Sequence, residues 1–324
     1  MTSHHPQPNP GSPMSAPNNP LPSPSFVGLG RMGANMARRL ARGGLTIHGF
    51  DPSEAARSAL AGEAGVVLHD TLVTAVEAQA GRRVVWLMLP AGAITDQTLL
   101  ALESVLRTGD VLVDGGNANY LDSQVRAAHW QKLGIDFVDC GVSGGIWGLA
   151  EGFCLMAGGG DAAIAALVPL FERLAPAPDR GWLHAGPSGA GHFTKMVHNG
   201  IEYGMMQSYA EGFALMAGKT DLQIDLQAMA ELWRHGSVVR SWLLDLTATA
   251  LQNPTAMEKL APVVADSGEG RWTVDEAIRQ GTPVPVISAA LMARFTSQGK
   301  ADTANRLLSL MRKGFGGHPT VEKS

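Results

Sequence analysis

Cysteine is nearly absent from this 324-residue chain: Cys140 and Cys154 are the only two, with no further cysteine or paired histidine at metal-ligand spacing. That count argues against a disulfide framework and a structural zinc site, and makes reduced thiols in a cytoplasmic setting the expectation. Excess positive charge is lacking too. The 25 Lys and Arg against 29 Asp and Glu leave a net charge of −4, which gives no electrostatic footprint for nucleic acid. No run of 18 apolar residues is present, so no segment reads as a membrane span. Residues 1–24 contain eight prolines, no Lys or Arg and no apolar stretch, which excludes a signal or transit peptide and predicts a disordered tail. What remains is 45% hydrophobic and 17% charged, the composition of a protein with a large core, and the length suggests about two domains.

The folded chain opens with "SFVGLGRMGANMARRL", a short apolar strand running through Gly28, Gly30 and Gly33 into a helix. The first glycine allows a tight turn, the second lets backbone approach a pyrophosphate, and the third lets helix and strand pack closely. The backbone from Gly28 through Leu29, Gly30, Arg31, Met32 and Gly33 would offer its amides to the phosphates. About 20 residues on, the next strand, "LTIHGF", ends at Asp51, where a carboxylate suits the two ribose hydroxyls of NAD and repels a 2′-phosphate. No arginine immediately follows it, the nearest being Arg57. NAD is therefore expected as cofactor, with NADP less favoured.

Strand-like and helix-like segments then alternate: "VVL", "RRVVWLML", "DVLVDGG" and "IDFVDCGVSGG", with helices near 94–106 and 122–133. Such alternation predicts an α/β, Rossmann-type, doubly wound parallel sheet over 25–187. Ligands in such sheets lie beyond the carboxyl ends of the strands, which gathers "LPAG" with Leu89, "GGNANY" with Asn117, and "GVSGG" with Ser143, Gly144 and Gly145 around one crevice. After the glycine-rich break "PSGAG" the chain reads as helices only, so 188–324 is expected to be an all-helical substrate and oligomerisation domain.

The most informative stretch is "GAGHFTKMVHNGIEYGMM", residues 189–206. At about 100° per residue, Lys195, His198, Asn199, Glu202 and Tyr203 form one polar stripe on an otherwise apolar helix. The apolar remainder, including Met196, Val197, Ile201, Met205 and Met206, predicts a helix packed by protein on several sides. A polar stripe inside such packing needs partners or a ligand, because an unpaired buried charge costs several kcal/mol, by the order of magnitude of ion desolvation. If a nicotinamide sits beside it, Lys195 can serve as the base that takes an alcohol proton, provided burial or a nearby cation lowers its pKa. Where the alcohol is beta to a carboxylate, the protonated lysine then polarises the new carbonyl as carbon dioxide leaves, and no metal is required. The resulting enediol needs a proton on carbon. Glu202, two turns along the same face, can supply it if burial keeps it neutral. A plain Lys–Glu bridge at a domain interface is the alternative open from spacing alone.

The strings "GLGRMG", "VDGGNANY", "GVSGG" and above all "GAGHFTKMVHNGIEYG" resemble 6-phosphogluconate dehydrogenase, decarboxylating, in its shorter bacterial NAD-associated form, over residues 25–318. The resemblance implies Lys195 as base and Glu202 as acid in the oxidation and decarboxylation of a phosphorylated sugar acid. It implies that Asn117, Ser143, Gly144, Gly145, His198 and Asn199 hold the carboxylate and hydroxyls, and that Tyr203 and Arg294 hold the phosphate. "RKGFGGH", with Arg312 and His318, resembles the family's tail, which reaches into a neighbouring subunit's site, so a homodimer or homotetramer is implied. Between Ser267 and Trp272 the chain has only "GEGR", where longer members carry a loop with a phosphate-binding lysine; Arg271 is the cation nearest that gap. Two rival readings stand beside this one. A 3-hydroxyisobutyrate-type beta-hydroxyacid dehydrogenase shares the glycine opening, the SGG loop and a lysine followed by asparagine, but has no need of Glu202. A non-catalytic NAD-sensing module would need neither acid nor base.

Overall fold

The structure, a computed structural model, describes residues 23–316 and 319–321. Most of the expected N-terminal tail and His318 lie outside the described residues. Ser23 and Pro24, placed in that tail by composition, are tied to the second strand segment: Ser23 Oγ donates to the Thr46 carbonyl at 2.9 Å and His48 N donates to the Pro24 carbonyl at 3.0 Å.

Eight strands, β1 (Ser25–Val27), β2 (Ile47–Phe50), β3 (Val66–Leu68), β4 (Val84–Leu87), β5 (Val111–Asp114), β6 (Asp136–Ser143), β7 (Cys154–Gly158) and β8 (Trp182–Gly186), form one sheet in the order β3-β2-β1-β4-β5-β6-β7-β8. Between them run α1 (Arg31–Arg42), α2 (Glu54–Ser58), α3 (Leu72–Glu77), α4 (Ala93–Leu102), α5 (Tyr120–Lys132), α6 (Gly148–Glu151) and α7 (Asp161–Leu174). The helices α8 (Ala190–Gly218), α9 (Leu226–Trp233), α10 (Trp242–Leu251), α11 (Pro254–Glu258), α12 (Glu269–Gln280), α13 (Pro285–Ser297) and α14 (Asp302–Gly316) follow. The reversal of strand order at β1, with β2 on one side and β4 on the other, is the doubly wound arrangement expected from the alternation. One pairing departs from a wholly parallel sheet. β7 runs antiparallel to β6, because the ten residues between them are too few for a right-handed crossover.

Alternate strand residues feed two cores. Phe26, Trp86, Val113 and Val138 point to one face and pack with Met36, Leu40 and Phe171, whereas Val27, Val85, Leu87 and Leu112 point to the other and pack with Leu99, Leu102 and Trp130. A fully buried large side chain such as Trp86 or Trp130 contributes about 2–3 kcal/mol of transfer free energy. Burial on both faces explains why these strands read as continuous apolar runs rather than alternating ones.

The described chain divides into two compact units, the first running to Met196 and the second beginning at Val197. Within the second, Phe213, Ala230, Leu244 and Ala248 form one small core, and Tyr203, Ala290 and Leu291 form another. The expectation that α8 is packed on several sides holds at its start and fails beyond. Met196 is buried, but Ile201, Met205 and Met206 are 52%, 39% and 40% exposed. At 29 residues α8 is about 44 Å long, more length than a small helical core covers on every side. Among the described residues no helix is long and apolar enough to cross a membrane.

Candidate active site

The first candidate half-site is the turn between β1 and α1. Gly28 has φ +93°, and a Cβ there would sit 2.5 Å from the Met88 carbonyl oxygen and 2.9 Å from Leu89 Cδ2, so only glycine fits. A Cβ on Gly33 would overlap the Gly28 carbonyl oxygen, which shows how closely α1 lies on the turn. Gly30 differs: nothing lies within 4 Å of where its Cβ would be. That open space sits at the N-terminus of α1, whose first amides have no intrahelical acceptors and whose dipole favours an anion. Arg31 is exposed and Met32 half-buried on that first turn, Leu89 is half-buried after β4, and Asn117 is exposed after β5.

Asp51 stands one residue beyond β2, with one carboxylate oxygen accepting from Leu29 N at 2.7 Å and the other from Ser53 N at 2.8 Å. Those bonds aim the carboxylate back toward the glycine turn and leave lone pairs for a ribose diol. Arg57, the nearest cation on the sequence reading, donates to the Asp51 and Pro52 carbonyls at 2.6 and 3.3 Å and lies 3.6 Å from Asp70. Its guanidinium is thus engaged by backbone and an acid. The residues present fit a dinucleotide without a 2′-phosphate: a side-chain-free approach, a helix N-terminus and a carboxylate at the second strand end.

The second half-site is built where α8 meets β6 and β7. Lys195 is 8% exposed, and its Cβ fills the space that a side chain on Gly141 would need. Ser143 ends β6 opposite Cys154 in the β6–β7 register, and Gly144 and Gly145 follow at φ +128° and +53°, turning the chain into a short helical turn. Cys154 is exposed at the start of β7; partial desolvation raises its thiol pKa, and the Lys195 ammonium acts against that shift. Below it, Asp139 is fully buried and accepts from Gly189 N at 2.6 Å and His192 N at 2.8 Å. Burial raises the Asp139 carboxyl, opposed by His192 and by those two amides. His192 is itself buried, with Nδ1 2.7 Å from Ser123 Oγ. Sequence reasoning passed over Asp139, His192 and Ser123. The glycines at 189 and 191, flanking the first turn of a helix, were the available signal that something approaches it closely.

Further along α8, in the second unit, the rest of the stripe appears. His198 Nδ1 lies 3.2 Å from Asn199 Oδ1 and 3.9 Å from Glu202 Oε2. The Glu202 side chain is 41% exposed in the single chain. Tyr203 and Arg294 are brought together: the guanidinium lies 3.5 Å from the centre of the tyrosine ring and donates to the Ala265 carbonyl at 2.7 Å. The tyrosine hydroxyl lies 3.3 Å from Ser267 Oγ. Arg271 turns to Asp266 and stacks on Phe295, 4.6 Å from its centroid. Arg312 is exposed on α14, which continues through the tail-like string to Gly316.

Comparison with known proteins finds matches over both units. Residues 24–183 match the family model described as the NAD binding domain of 6-phosphogluconate dehydrogenase, and 191–317 match that of the 6-phosphogluconate dehydrogenase C-terminal domain. A Haloferax volcanii protein named 6-phosphogluconate dehydrogenase, NAD(+)-dependent, decarboxylating, is 41% identical over 299 residues, covering 92% of this chain and 98% of that one. The decarboxylating enzyme of Lactococcus lactis is 34% identical, and this chain spans 65% of its length. Among solved structures, Plasmodium falciparum 6-phosphogluconate dehydrogenase superposes with a TM-score of 0.80 at 26% identity, covering 93% of this chain and 66% of that one. A Mycobacterium tuberculosis 3-hydroxyisobutyrate dehydrogenase, at 23% identity and a TM-score of 0.69, shares the fold. The chain belongs to the 6-phosphogluconate dehydrogenase family.

Proposed function

We propose that this chain oxidises 6-phosphogluconate with NAD and releases carbon dioxide, leaving ribulose 5-phosphate. The observation that carries the reading is the buried Lys195, seated on β6 of the unit that contains the glycine turn and Asp51, with Asn199 and Glu202 four and seven residues later on the same helix. Gly28 to Gly33 and Asp51 would hold the cofactor, with Leu89 and Asn117 beyond the strand ends, and NAD when bound supplies the hydride acceptor.

Lys195 Nζ takes the proton of the hydroxyl on the carbon beta to the carboxylate, as that carbon is oxidised to a ketone. The ammonium so formed donates to the ketone oxygen, and the electron pair of the breaking bond to the carboxylate carbon moves toward it as carbon dioxide departs. Glu202 then delivers a proton to the carbon left behind, and Lys195 takes back the enol proton. Ser143, Gly144, Gly145, Asn117, His198 and Asn199 serve the carboxylate and hydroxyls. Tyr203 and Arg294 serve the phosphate, the arginine through its planar fork. Arg271, paired with Asp266, is not assigned to the phosphate.

The first domain, 25–187, binds the cofactor and lends Asn117, Ser143, Gly144 and Gly145 to the sugar acid, and the helical domain from 188 supplies the remaining substrate contacts and assembles the oligomer. The assembly is a homodimer or homotetramer in which Arg312 and His318 complete a neighbouring site. Support comes from the apolar residues left exposed on α8 and from Leu307, Leu308 and Leu310 on α14, more than half exposed in the single chain. Two free thiols, one of them exposed, fit a cytoplasmic setting. The test offers NAD with 6-phosphogluconate and, separately, with 3-hydroxyisobutyrate, following NADH absorbance and carbon dioxide. Reaction with the first, one carbon dioxide per NADH, is expected; reaction with only the second would overturn the reading.

A further inference from the structure

We propose that Asp139 is a positioning residue for Lys195: its buried carboxylate on β6 fixes the first turn of α8, and a seam of three glycines transmits that hold to the lysine without slack. The inference rests on the reading of Lys195 as the base.

The first amides of a helix lack intrahelical acceptors and are usually satisfied by a side chain just before the helix. In α8 the acceptor comes from a different element. Asp139 takes Gly189 N at 2.6 Å on one oxygen and His192 N at 2.8 Å on the other, so a rigid sheet strand, not a mobile loop, sets where the helix begins. Three glycines bring the backbones into contact. A Cβ on Gly191 would overlap the Asp139 and Met156 carbonyl oxygens, one on Gly158 would lie 2.7 Å from Asp139 Oδ1, and one on Gly141 would overlap Lys195 Cβ. Asp139 and Gly158 face each other in the β6–β7 register, and Gly141 follows two residues along on the same side of β6. Lys195 follows His192 by three residues, about one turn, so the bond at His192 fixes the depth at which the lysine meets Gly141. On α5, Ser123 braces the arrangement through His192 Nδ1, at 2.7 Å. Nothing flexible separates the carboxylate from the base.

A buried aspartate could instead serve stability alone, and the experiment separates the two roles. Asp139→Asn keeps the shape but turns an amide NH2 toward one helix amide. Gly141→Ala leaves the carboxylate intact and displaces Lys195 from the other side. Both are compared with Lys195→Ala in the full chain. The measurements are kcat, the KM for NAD and for 6-phosphogluconate, the isotope effect with substrate deuterated at the oxidised carbon, and ligand-free amide exchange across residues 187–196.

For Asp139→Asn we expect kcat to fall about 100-fold, the scale of an ångström-sized misplacement. The KM for NAD should stay within about 2-fold, the isotope effect should rise, and exchange at Gly189 and His192 should quicken about 10-fold or more, the expected loss of local protection. Gly141→Ala should lower kcat with those two amides still protected. Faster exchange in Asp139→Asn with unchanged kcat would overturn the proposal, as would losses that merely track the folded, NAD-binding fraction. If Asp139→Asn does not fold, Gly141→Ala decides, and wild-type kcat in it refutes the seam. Substantial turnover in Lys195→Ala would instead bring down the assignment of the base itself, whatever the exchange data show.

Discussion

Two glycines of the same turn should respond in opposite ways to alanine. A methyl on Gly33 overlaps the Gly28 carbonyl oxygen and comes within 3.1 Å of Met88 Cβ, so α1 must move off the strand. Overpacking of this kind costs about 1–3 kcal/mol, and because the obstacle is backbone the upper half of that range applies. For units of this size that corresponds to a melting temperature lower by about 4–12 °C. A methyl on Gly30 meets nothing within 4 Å, and its φ of −62° is one alanine adopts freely, so melting should be unchanged within about 1 °C, the scale of a substitution without a named mechanism. Its effect should fall on the cofactor, because the space it takes is where a pyrophosphate would approach the helix amides. A loss of about 10-fold or more in NAD affinity, ~1.4 kcal/mol, is expected. Calorimetry gives both numbers. A Gly30→Ala protein that binds NAD normally would refute the placement of the phosphates, and a Gly33→Ala protein as stable as the parent would refute the packing argument.

Other expectations follow from the same structure. Asp51→Asn should narrow the preference for NAD over NADP, measured as the ratio of kcat/KM values, and an unchanged ratio would count against a carboxylate-set preference. Deleting residues 312–324 should raise the KM for the phosphorylated substrate far more than that for NAD; equal effects would mean that the tail serves no phosphate. The His48–His69 pair, 3.0 Å apart, should make the first unit acid-sensitive. Burial lowers the pKa of both, with the two rings also opposing each other's charge at His48. Their neutral forms therefore contribute stability that is present above the ordinary histidine pKa and lost as pH falls below about 6.5. His69→Gln should flatten the fall in melting temperature between pH 7.5 and 5, and an identical slope would contradict the assignment.

Much of this was legible in the sequence because it depends on local rules. The glycine turn, the strand-end aspartate and the alternation of strands and helices each follow from backbone geometry. Lys195, Asn199 and Glu202 fall on one stripe because a helix repeats every 3.6 residues. The antiparallel β7 was not legible, since its direction depends on the shortness of a connection whose ends must first be recognised as strands. The meeting of Tyr203 with Arg294, separated by 91 positions, came from the resemblance alone, since no local rule joins residues so far apart. Asp139 was hidden for a different reason: it reads as one more polar residue before a glycine, and its bonds go to backbone amides 50 and 53 residues away. Periodicity alone predicts a helix packed by protein on several sides without saying which chain supplies the packing; within the single chain Ile201, Met205 and Met206 stand on an open face.

The most direct check is a single-turnover comparison of Lys195→Ala and Glu202→Gln with 6-phosphogluconate and saturating NAD. The lysine variant should give no NADH in the first turnover, while the glutamate variant should give a burst of NADH followed by slow turnover as protonation of the enediol lags. Equal residual activity in the two, without a burst in either, would contradict the division of labour between base and acid.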